Sequence, residues 1–117
     1  FNTVPYSQEL AALVHTCVVR ELQLMDRKVR RGDYHMVRET SAPAVLVEVG
    51  FMSNGVDLQK LRDPEFRQKA ATGMFKGLSM YLGSDMFRKW RVESTGTSGD
   101  WRQVGGNSSS RQGSGGR

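Results

Sequence analysis

Cysteine is nearly absent from this sequence, which contains Cys17 alone. A single cysteine excludes an internal disulfide framework and leaves the redox compartment open. No apolar run approaches the roughly 18 residues that a membrane span needs, so the sequence predicts no transmembrane segment. No signal peptide is visible, and a first residue of Phe1 instead of Met leads us to expect a processed product or a truncated reading.

Acidic residues are fewer than basic ones. The chain has 12 Asp and Glu against 17 Lys and Arg, a formal net charge of +5, within 117 residues. With 38% hydrophobic residues, this composition predicts one modest globular domain with a polar appendage. The cations are densest in residues 26–33, which read as a loop ending in Gly32-Asp33.

The most informative stretch is residues 43–54, Pro-Ala-Val-Leu-Val-Glu-Val-Gly-Phe-Met-Ser-Asn. A short apolar run rich in β-branched residues and bounded by turn signals predicts a buried strand. Side chains alternate across a strand, so one face would carry Ala44, Leu46 and Glu48, and the other Val45, Val47 and Val49. Because both faces are apolar except at Glu48, we expect a strand covered on both sides in an α/β sheet.

Glu48 is the one charged residue in that run. An ionised carboxylate in a buried strand is costly unless it is paired, hydrogen-bonded or bound to metal. It would also lie at the carboxyl end of its strand, where open α/β sheets place ligand sites. A functional carboxylate is therefore one interpretation. The alternatives are a structural ion pair with an arginine, or an edge strand on which Glu48 faces water.

Helices are predicted on both sides of this strand. Apolar residues recur at helical spacing from Gln8 to about Met25, with Ser7 as N-cap. Residues 34–38 suggest a short strand, and residues 56–62 a short helical turn. Asp63-Pro64-Glu65 is a strong helix start, and the helix that follows should bury Phe66, Ala70, Met74, Leu78 and Tyr81 or Leu82 before Gly83 ends it.

Residues 43–54 resemble the signature Pro-Ala/Ser-Val-Leu-Val-Glu-x-Gly-Phe-x-Ser-Asn of the zinc-dependent N-acetylmuramoyl-L-alanine amidases. The similarity runs from about Ser7 to Leu82. Residues 27–30 resemble the family's Arg-Gly-Val-Lys stretch, with Lys28 replacing its glycine, and residues 34–38 resemble its strand ending in Val-Leu-Arg. The resemblance implies the C-terminal half of the catalytic domain, an α/β fold whose mostly parallel twisted sheet is flanked by helices.

The resemblance also implies an activity. These autolysin-type hydrolases cleave the amide bond between N-acetylmuramic acid and L-alanine in peptidoglycan. Glu48 matches the family's catalytic general acid–base, and Arg30 lies at its Lys/Arg position, where a guanidinium suits the carboxylates of peptidoglycan stems. The plainer interpretation of the basic residues is a solvated loop. Family membership further implies action outside the cytoplasm.

The family's zinc is held by a His, a Glu and a second His, all upstream of the part that resembles this chain. None of these motifs is present, and His15 and His35 fall at positions that the family does not use for metal. We therefore predict no metal ligand in this chain. Alone it should be inactive, and poorly stable or self-associating without the N-terminal half as its partner. The alternative is an inert fragment, or a binding module that contacts an anionic polymer.

The composition changes after residue 83, which predicts two segments. Residues 1–83 would be the amidase portion, and residues 84–117 a low-complexity Gly/Ser/Arg tail that is disordered because it buries too little apolar surface. At its start Met86, Phe87 and Trp90 could continue a helix briefly or pack back on the domain. The basic tail and loop would give weak attraction to polyanions, without specific nucleic-acid recognition.

Overall fold

The computed structural model describes residues 3–96. Within this range the chain forms helices that we number in order: α1 (Val4–Leu22), α2 (His35–Arg38), α3 (Gly55–Arg62), α4 (Pro64–Leu82) and α5 (Asp85–Thr95). None of them is long and apolar enough to cross a membrane.

The predicted parallel sheet is wrong, because residues 3–96 contain no strand. The backbone groups of residues 45–50 form no backbone hydrogen bond with another segment in this range. A strand exists only when a second extended segment pairs with it. The apolar pattern of residues 44–49 indicated the alternation of side chains correctly, but the predicted burial of both faces is wrong, and the pattern carried no information about a pairing partner.

Residues 45–49 instead lie on the helices. Their three valines pack against a core of Leu10, Val14, Val18 and Tyr81, whereas Leu46 is 50% exposed and Glu48 is also exposed. The predicted alternation is therefore present, but helices cover one face and the other face is open.

The short strand predicted at residues 34–38 is also wrong, because residues 35–38 form helix α2. The amides of Arg38 and Glu39 donate to the carbonyls of Tyr34 and His35, each at 3.0 Å. Arg38 also bonds Asp33 at 2.7 Å and Glu39 at 2.8 Å. The two backbone bonds satisfy polar groups that would otherwise need a neighbouring strand.

Helix α1 begins earlier than its sequence signals indicated. Pro5 lies in its first turn, where the missing amide hydrogen of proline costs nothing. Ser7 is therefore inside the helix and is not its N-cap. Its Oγ accepts a hydrogen bond of 3.1 Å from the Ala44 amide, which ties α1 to the start of the apolar segment.

Helices α1 and α4 form the main packing interface. A Cβ added at Gly77 would lie 2.4 Å from the Val14 Cα, and one added at Gly73 would lie 2.7 Å from the Val18 Cα. The two glycines therefore allow the backbones of the two helices to approach each other closely. In the predicted stripe of α4, Ala70 and Tyr81 are buried, whereas Leu78 and Leu82 are exposed.

The predicted boundaries of α4 are confirmed. Pro64 is its first residue, and the Asp63 Oδ1 accepts from the Glu65 amide at 2.9 Å. This bond satisfies one of the free amides at the start of the helix. Gly83 forms its C-cap.

Helix α5 occupies the start of the predicted tail. The Ser84 Oγ accepts from the Phe87 amide at 3.1 Å, and the Phe87 ring packs edge-on against Tyr81 at 5.6 Å and stacks on Trp90. Phe87 packs against the core and residues 85–95 form a helix, so features of both outcomes that the sequence allowed are present. Disorder was predicted for residues 84–117, of which residues 85–95 form α5 instead, and the remainder of that prediction beyond Gly96 falls outside the described residues.

We expect the attachment of α5 to weaken in alkali. The Tyr6 hydroxyl donates to the Glu93 carboxylate, and this bond raises the pKa of Tyr6 to about 12 from an ordinary value of about 10. A raised pKa means that the bond stabilises the fold below about pH 10 and is lost as the pH rises towards 12. The indole NMR signal of Trp90 should follow this transition, and Tyr6→Phe should abolish it. The same transition in Tyr6→Phe would contradict the assignment.

Candidate functional site

The segment that carries Glu48, residues 44–51, is hydrogen-bonded to a helix at each end. Ser7 of α1 holds the Ala44 amide at 3.1 Å, and the Asp57 Oδ2 of α3 holds the Phe51 amide at 3.0 Å. Between these bonds the valines pack on the core. Because side chains alternate along this stretch, the fastening directs Glu48 to the open face.

The turn after Glu48 is built around α3. The Asn54 Oδ1 caps α3 by accepting from the amides of Val56 at 3.0 Å and Asp57 at 3.1 Å. Gly50 suits the close approach of Asp57, since a Cβ added at Gly50 would lie 3.2 Å from the Asp57 Cβ. Helix α3 thus contacts the backbone at Gly50 and Phe51, two and three residues beyond Glu48.

Glu48 itself is exposed, so the expectation of a buried carboxylate is wrong. Among residues 3–96, no ion pair joins it to an arginine. Of the alternatives raised by the sequence, a carboxylate facing water fits best, although no edge strand carries it. An accessible carboxylate on a fixed backbone can accept and donate a proton at a bound molecule.

The arginine loop, residues 26–33, lies outside the helices, and all of its side chains are exposed. Arg27 and Arg30 form no side-chain hydrogen bond or ion pair with described residues. Lys28 has a φ of 66°, a left-handed conformation that favours glycine, at the position where the resembling motif has glycine. The backbone conformation typical of a glycine is therefore kept although the side chain differs.

Asp26 holds the first part of this loop. Its Oδ1 lies 2.6 Å from the His15 Nε2 and accepts from the Lys28 amide at 2.8 Å, and its Oδ2 accepts from the Lys28 Nζ at 2.8 Å. The bonds from Lys28, and then that from His15, hold the pKa of the Asp26 carboxyl well below its usual range. A lowered pKa means that these bonds stabilise the loop above the ordinary aspartate pKa of about 3.9 and are lost in stronger acid.

The histidines do not form a metal centre. His15 is bound to Asp26, and His35 is exposed on α2. Within the described range, no three His, Cys, Asp or Glu side chains lie close enough together to hold a metal ion. Residues 3–96 therefore do not fit the zinc that the family resemblance implies.

The structure leaves the two candidate residues as separate, accessible groups. No hydrogen bond or ion pair joins Arg30 to Glu48 in the described part of the chain. An open pocket between the end of α1 and the start of α4 contains neither. Sequence reasoning missed Asp26 and Asp57, which position the loop and the turn. The sequence signals for these two roles were weak. Asp26 stands beside a basic run, and Asp57 stands three residues after the helix-capping Asn54.

Comparisons with known proteins agree on one family. The chain is 39% identical over 75 residues to a Bacillus anthracis protein named as an uncharacterized cell wall amidase, covering 64% of this chain and 14% of that protein. It is 34% identical over 67 residues to the N-acetylmuramoyl-L-alanine amidase CwlM of Bacillus licheniformis, covering 57% and 26%. It is 34% identical over 65 residues to the sporulation-specific N-acetylmuramoyl-L-alanine amidase of Bacillus subtilis, covering 56% and 26%.

The chain therefore spans 26% or less of the length of each of these three relatives. No solved structure gives a significant match. A model of the family described as N-acetylmuramoyl-L-alanine amidase matches residues 2–80. This match covers more than half of the sequence, and the chain belongs to the N-acetylmuramoyl-L-alanine amidase family.

Proposed function

We propose that this chain supplies the general acid–base carboxylate and an anion-binding loop to an amidase that hydrolyses peptidoglycan. The observation that carries the proposal is the position of Glu48. Glu48 resembles the glutamate of the family signature and lies within the range 2–80 that the family model matches. Its side chain is exposed on a segment that hydrogen bonds join to α1 and α3. A catalytic carboxylate needs both access to the substrate and a fixed backbone.

The reaction is hydrolysis of the amide that joins the lactyl group of N-acetylmuramic acid to L-alanine. Glu48 takes a proton from the attacking water as the carbon–oxygen bond forms. It then gives that proton to the amide nitrogen as the carbon–nitrogen bond breaks, so that L-alanine leaves with a free amino group. One carboxylate serves as base and then as acid, and it is regenerated in each cycle.

Arg30 has the proposed role of binding a carboxylate of the peptide stem. The guanidinium group presents parallel N–H donors that match a carboxylate. In this structure Arg30 is exposed, and no residue of the described range competes for it. Such a contact would orient the stem peptide without taking part in the proton transfers.

The zinc of the family would supply Lewis-acid polarisation of the scissile carbonyl. Residues 3–96 contain no cluster that fits a metal, and the proposed roles of this chain are confined to Glu48 and Arg30. The proposal therefore places the metal ligands on other polypeptide, and the chain alone is expected to be inactive.

Surface composition supports a role as one portion of a larger assembly. Large apolar side chains are widely exposed on the described part of the chain, including Phe75 at 70%, Met52 at 76% and Met36 at 83%. Extensive exposed apolar surface marks places where another polypeptide packs. We accordingly propose residues 1–83 as the amidase portion and residues 84–117 as an appended segment, of which the first part forms α5.

The place of action proposed for the chain is the cell wall, outside the cytoplasm. Its support is the wording of the relatives' names, which describe cell wall amidases. Peptidoglycan lies outside the membrane, so an enzyme that cleaves it must act there.

A binding module without catalysis is the second candidate. The observations that favour it are the exposed Arg27 and Arg30 and the absence of a metal-fitting cluster in the described range. Such a module would hold an anionic wall polymer through charge, and raised salt would weaken its retention. The Glu48→Gln variant would bind as well as the parent chain.

A hybrid enzyme separates these two functions. The 67-residue segment of the Bacillus licheniformis amidase that aligns with this chain is replaced by the matching segment of this chain. If the chain carries the catalytic carboxylate, the hybrid should release new L-alanine amino termini from purified peptidoglycan. A folded hybrid that binds peptidoglycan but releases none would support the binding module instead.

A further inference from the structure

The arginine loop is attached to α1 at two points. The first is Asp26, which contacts His15. The second is Arg31, whose guanidinium donates to the Gln8 side-chain oxygen at 2.5 Å in the amide orientation that satisfies both groups. His15 and Gln8 are two turns apart on α1, about 10 Å along the helix axis. The loop therefore runs back along α1 instead of extending into solvent.

Both oxygens of Asp26 are used in the first attachment. Oδ1 meets α1 through His15 and the loop backbone through the Lys28 amide, while Oδ2 meets the Lys28 Nζ. One carboxylate thus links α1 to both the backbone and the side chain of Lys28, and it holds Lys28 in its left-handed conformation. Hydrogen bonds to an ionised carboxylate are stronger than those between neutral groups.

Two arginines of the loop, Arg27 and Arg30, remain available to bind a ligand. Arg27 and Arg30 are exposed and bond no described side chain, whereas Lys28 and Arg31 are engaged. Two of the four cations of the loop therefore form the attachments. The other two lie on a backbone whose motion the attachments restrict. An arginine on a fixed backbone loses less conformational entropy when it binds a carboxylate.

We infer that Asp26 is a positioning residue, which fixes the arginine loop on α1 so that Arg30 is presented to the carboxylates of peptidoglycan stem peptides. This inference rests on the function proposed above. Asp26 touches no substrate in this scheme and acts only through the loop.

A purely electrostatic role for Asp26 makes the opposite prediction. Removing a carboxylate beside four cations increases the local positive charge and should strengthen binding of an anionic ligand. Positioning predicts weaker binding after the same change, because the loop is released. The sign of the change in affinity therefore distinguishes the two roles.

The test measures retention of the full chain on purified peptidoglycan freed of teichoic acids, so that stem carboxylates are the anions present. We expect Asp26→Ala to weaken binding about five- to ten-fold, the size expected for loss of charge-assisted hydrogen bonds. Asp33→Ala is the matched control. It removes the same charge from the same loop, but among residues 3–96 Asp33 pairs only with Arg38, so the affinity of this variant should stay equal or rise.

A conservative variant and a double variant add independent readouts. Asp26→Asn changes the charge as Asp26→Ala does but keeps an oxygen for the Lys28 amide, so it should bind more tightly than Asp26→Ala. In an Arg30→Ala background, Asp26→Ala should cause little further loss, because both act through one contact. Equal affinity of the Asn and Ala variants, or tighter binding by Asp26→Ala, would overturn the inference.

Amide hydrogen exchange separates failure of the inference from failure of the proposed function. Asp26→Ala should accelerate exchange at the Lys28 amide, whereas Asp33→Ala should not. An unchanged exchange rate of the Lys28 amide in Asp26→Ala would contradict the positioning role of Asp26, even if Arg30 binds the ligand. Faster exchange together with full binding by Arg30→Ala would instead remove Arg30 from the proposed function, and with it the ligand assigned to the loop.

Discussion

Replacing Gly77 by alanine is expected to lower the free energy of unfolding by about 3 kcal/mol or more, a large fraction of the stability of a small domain. The added Cβ would lie 2.4 Å from the Val14 Cα, 2.8 Å from the Val14 N and 2.9 Å from the Leu13 O. All three are backbone atoms, so no side-chain rotation relieves the contact and α1 and α4 must separate. Alanine favours helix over glycine by only about 1 kcal/mol, so the steric cost dominates.

Thermal or urea unfolding monitored by circular dichroism measures this effect. Gly55→Ala is the matched control, because a Cβ added at Gly55 meets nothing within 4 Å. It should change stability by less than about 0.5 kcal/mol. If Gly77→Ala were as stable as the parent chain, the close approach of α1 and α4 would be incorrect.

Glu48→Gln is expected to reduce turnover by the hybrid enzyme about 10²- to 10⁴-fold, the usual contribution of general acid–base catalysis. Glutamine preserves the size of the side chain and its capacity to hydrogen-bond, but it does not carry the proton between water and leaving nitrogen. Because Glu48 is exposed and forms no ion pair within residues 3–96, stability should be unaffected. The effect should therefore appear in kcat, with KM little changed.

The rate of release of L-alanine amino termini from peptidoglycan checks this prediction. Glu39→Gln is the comparison, because Glu39 is an exposed carboxylate nearby in the sequence whose partner is Arg38. It should retain nearly full turnover. Comparable turnover by Glu48→Gln and Glu39→Gln would refute the catalytic assignment of Glu48.

Local signals predicted the helices well. The Asp63-Pro64 start of α4 and its end at Gly83 depend on capping groups within one turn, and they appear as expected. The start of α1 was predicted at Gln8, four residues after its actual start at Val4, because Ser7 suits an N-cap although Pro5 also suits a first turn. These features depend on neighbours in the sequence, which is why a sequence pattern can indicate them.

Strands and burial could not be predicted in the same way. Residues 44–49 and 34–38 were assigned as strands from composition, but pairing depends on another segment at a distance that the pattern does not specify. The stripe on α4 was misjudged for a related reason. Gly73 and Gly77 are buried because, without side chains, they allow the backbones of α4 and α1 to approach closely. Hydrophobicity alone predicted that Leu78 would be buried, but it is exposed.

The candidate site was predictable only in part. The sequence motif pointed to Glu48 and Arg30, and both are accessible in the structure. Their roles stay predictions, because no contact between them is described. The supporting aspartates Asp26 and Asp57 were not predicted, since their partners His15 and Phe51 are recognised only when the chain is folded.

The pairing of α1 with α4 has a kinetic consequence. Residues 23–63 separate the two helices, so this long intervening stretch must be closed into a loop before the main interface contributes to stability. Helical proteins usually fold fast because neighbouring helices meet first. Here the dominant contact, between α1 and α4, is non-local, which raises the contact order of this chain. Its folding rate should therefore lie nearer to that of mixed α/β domains than to that of simple helical bundles.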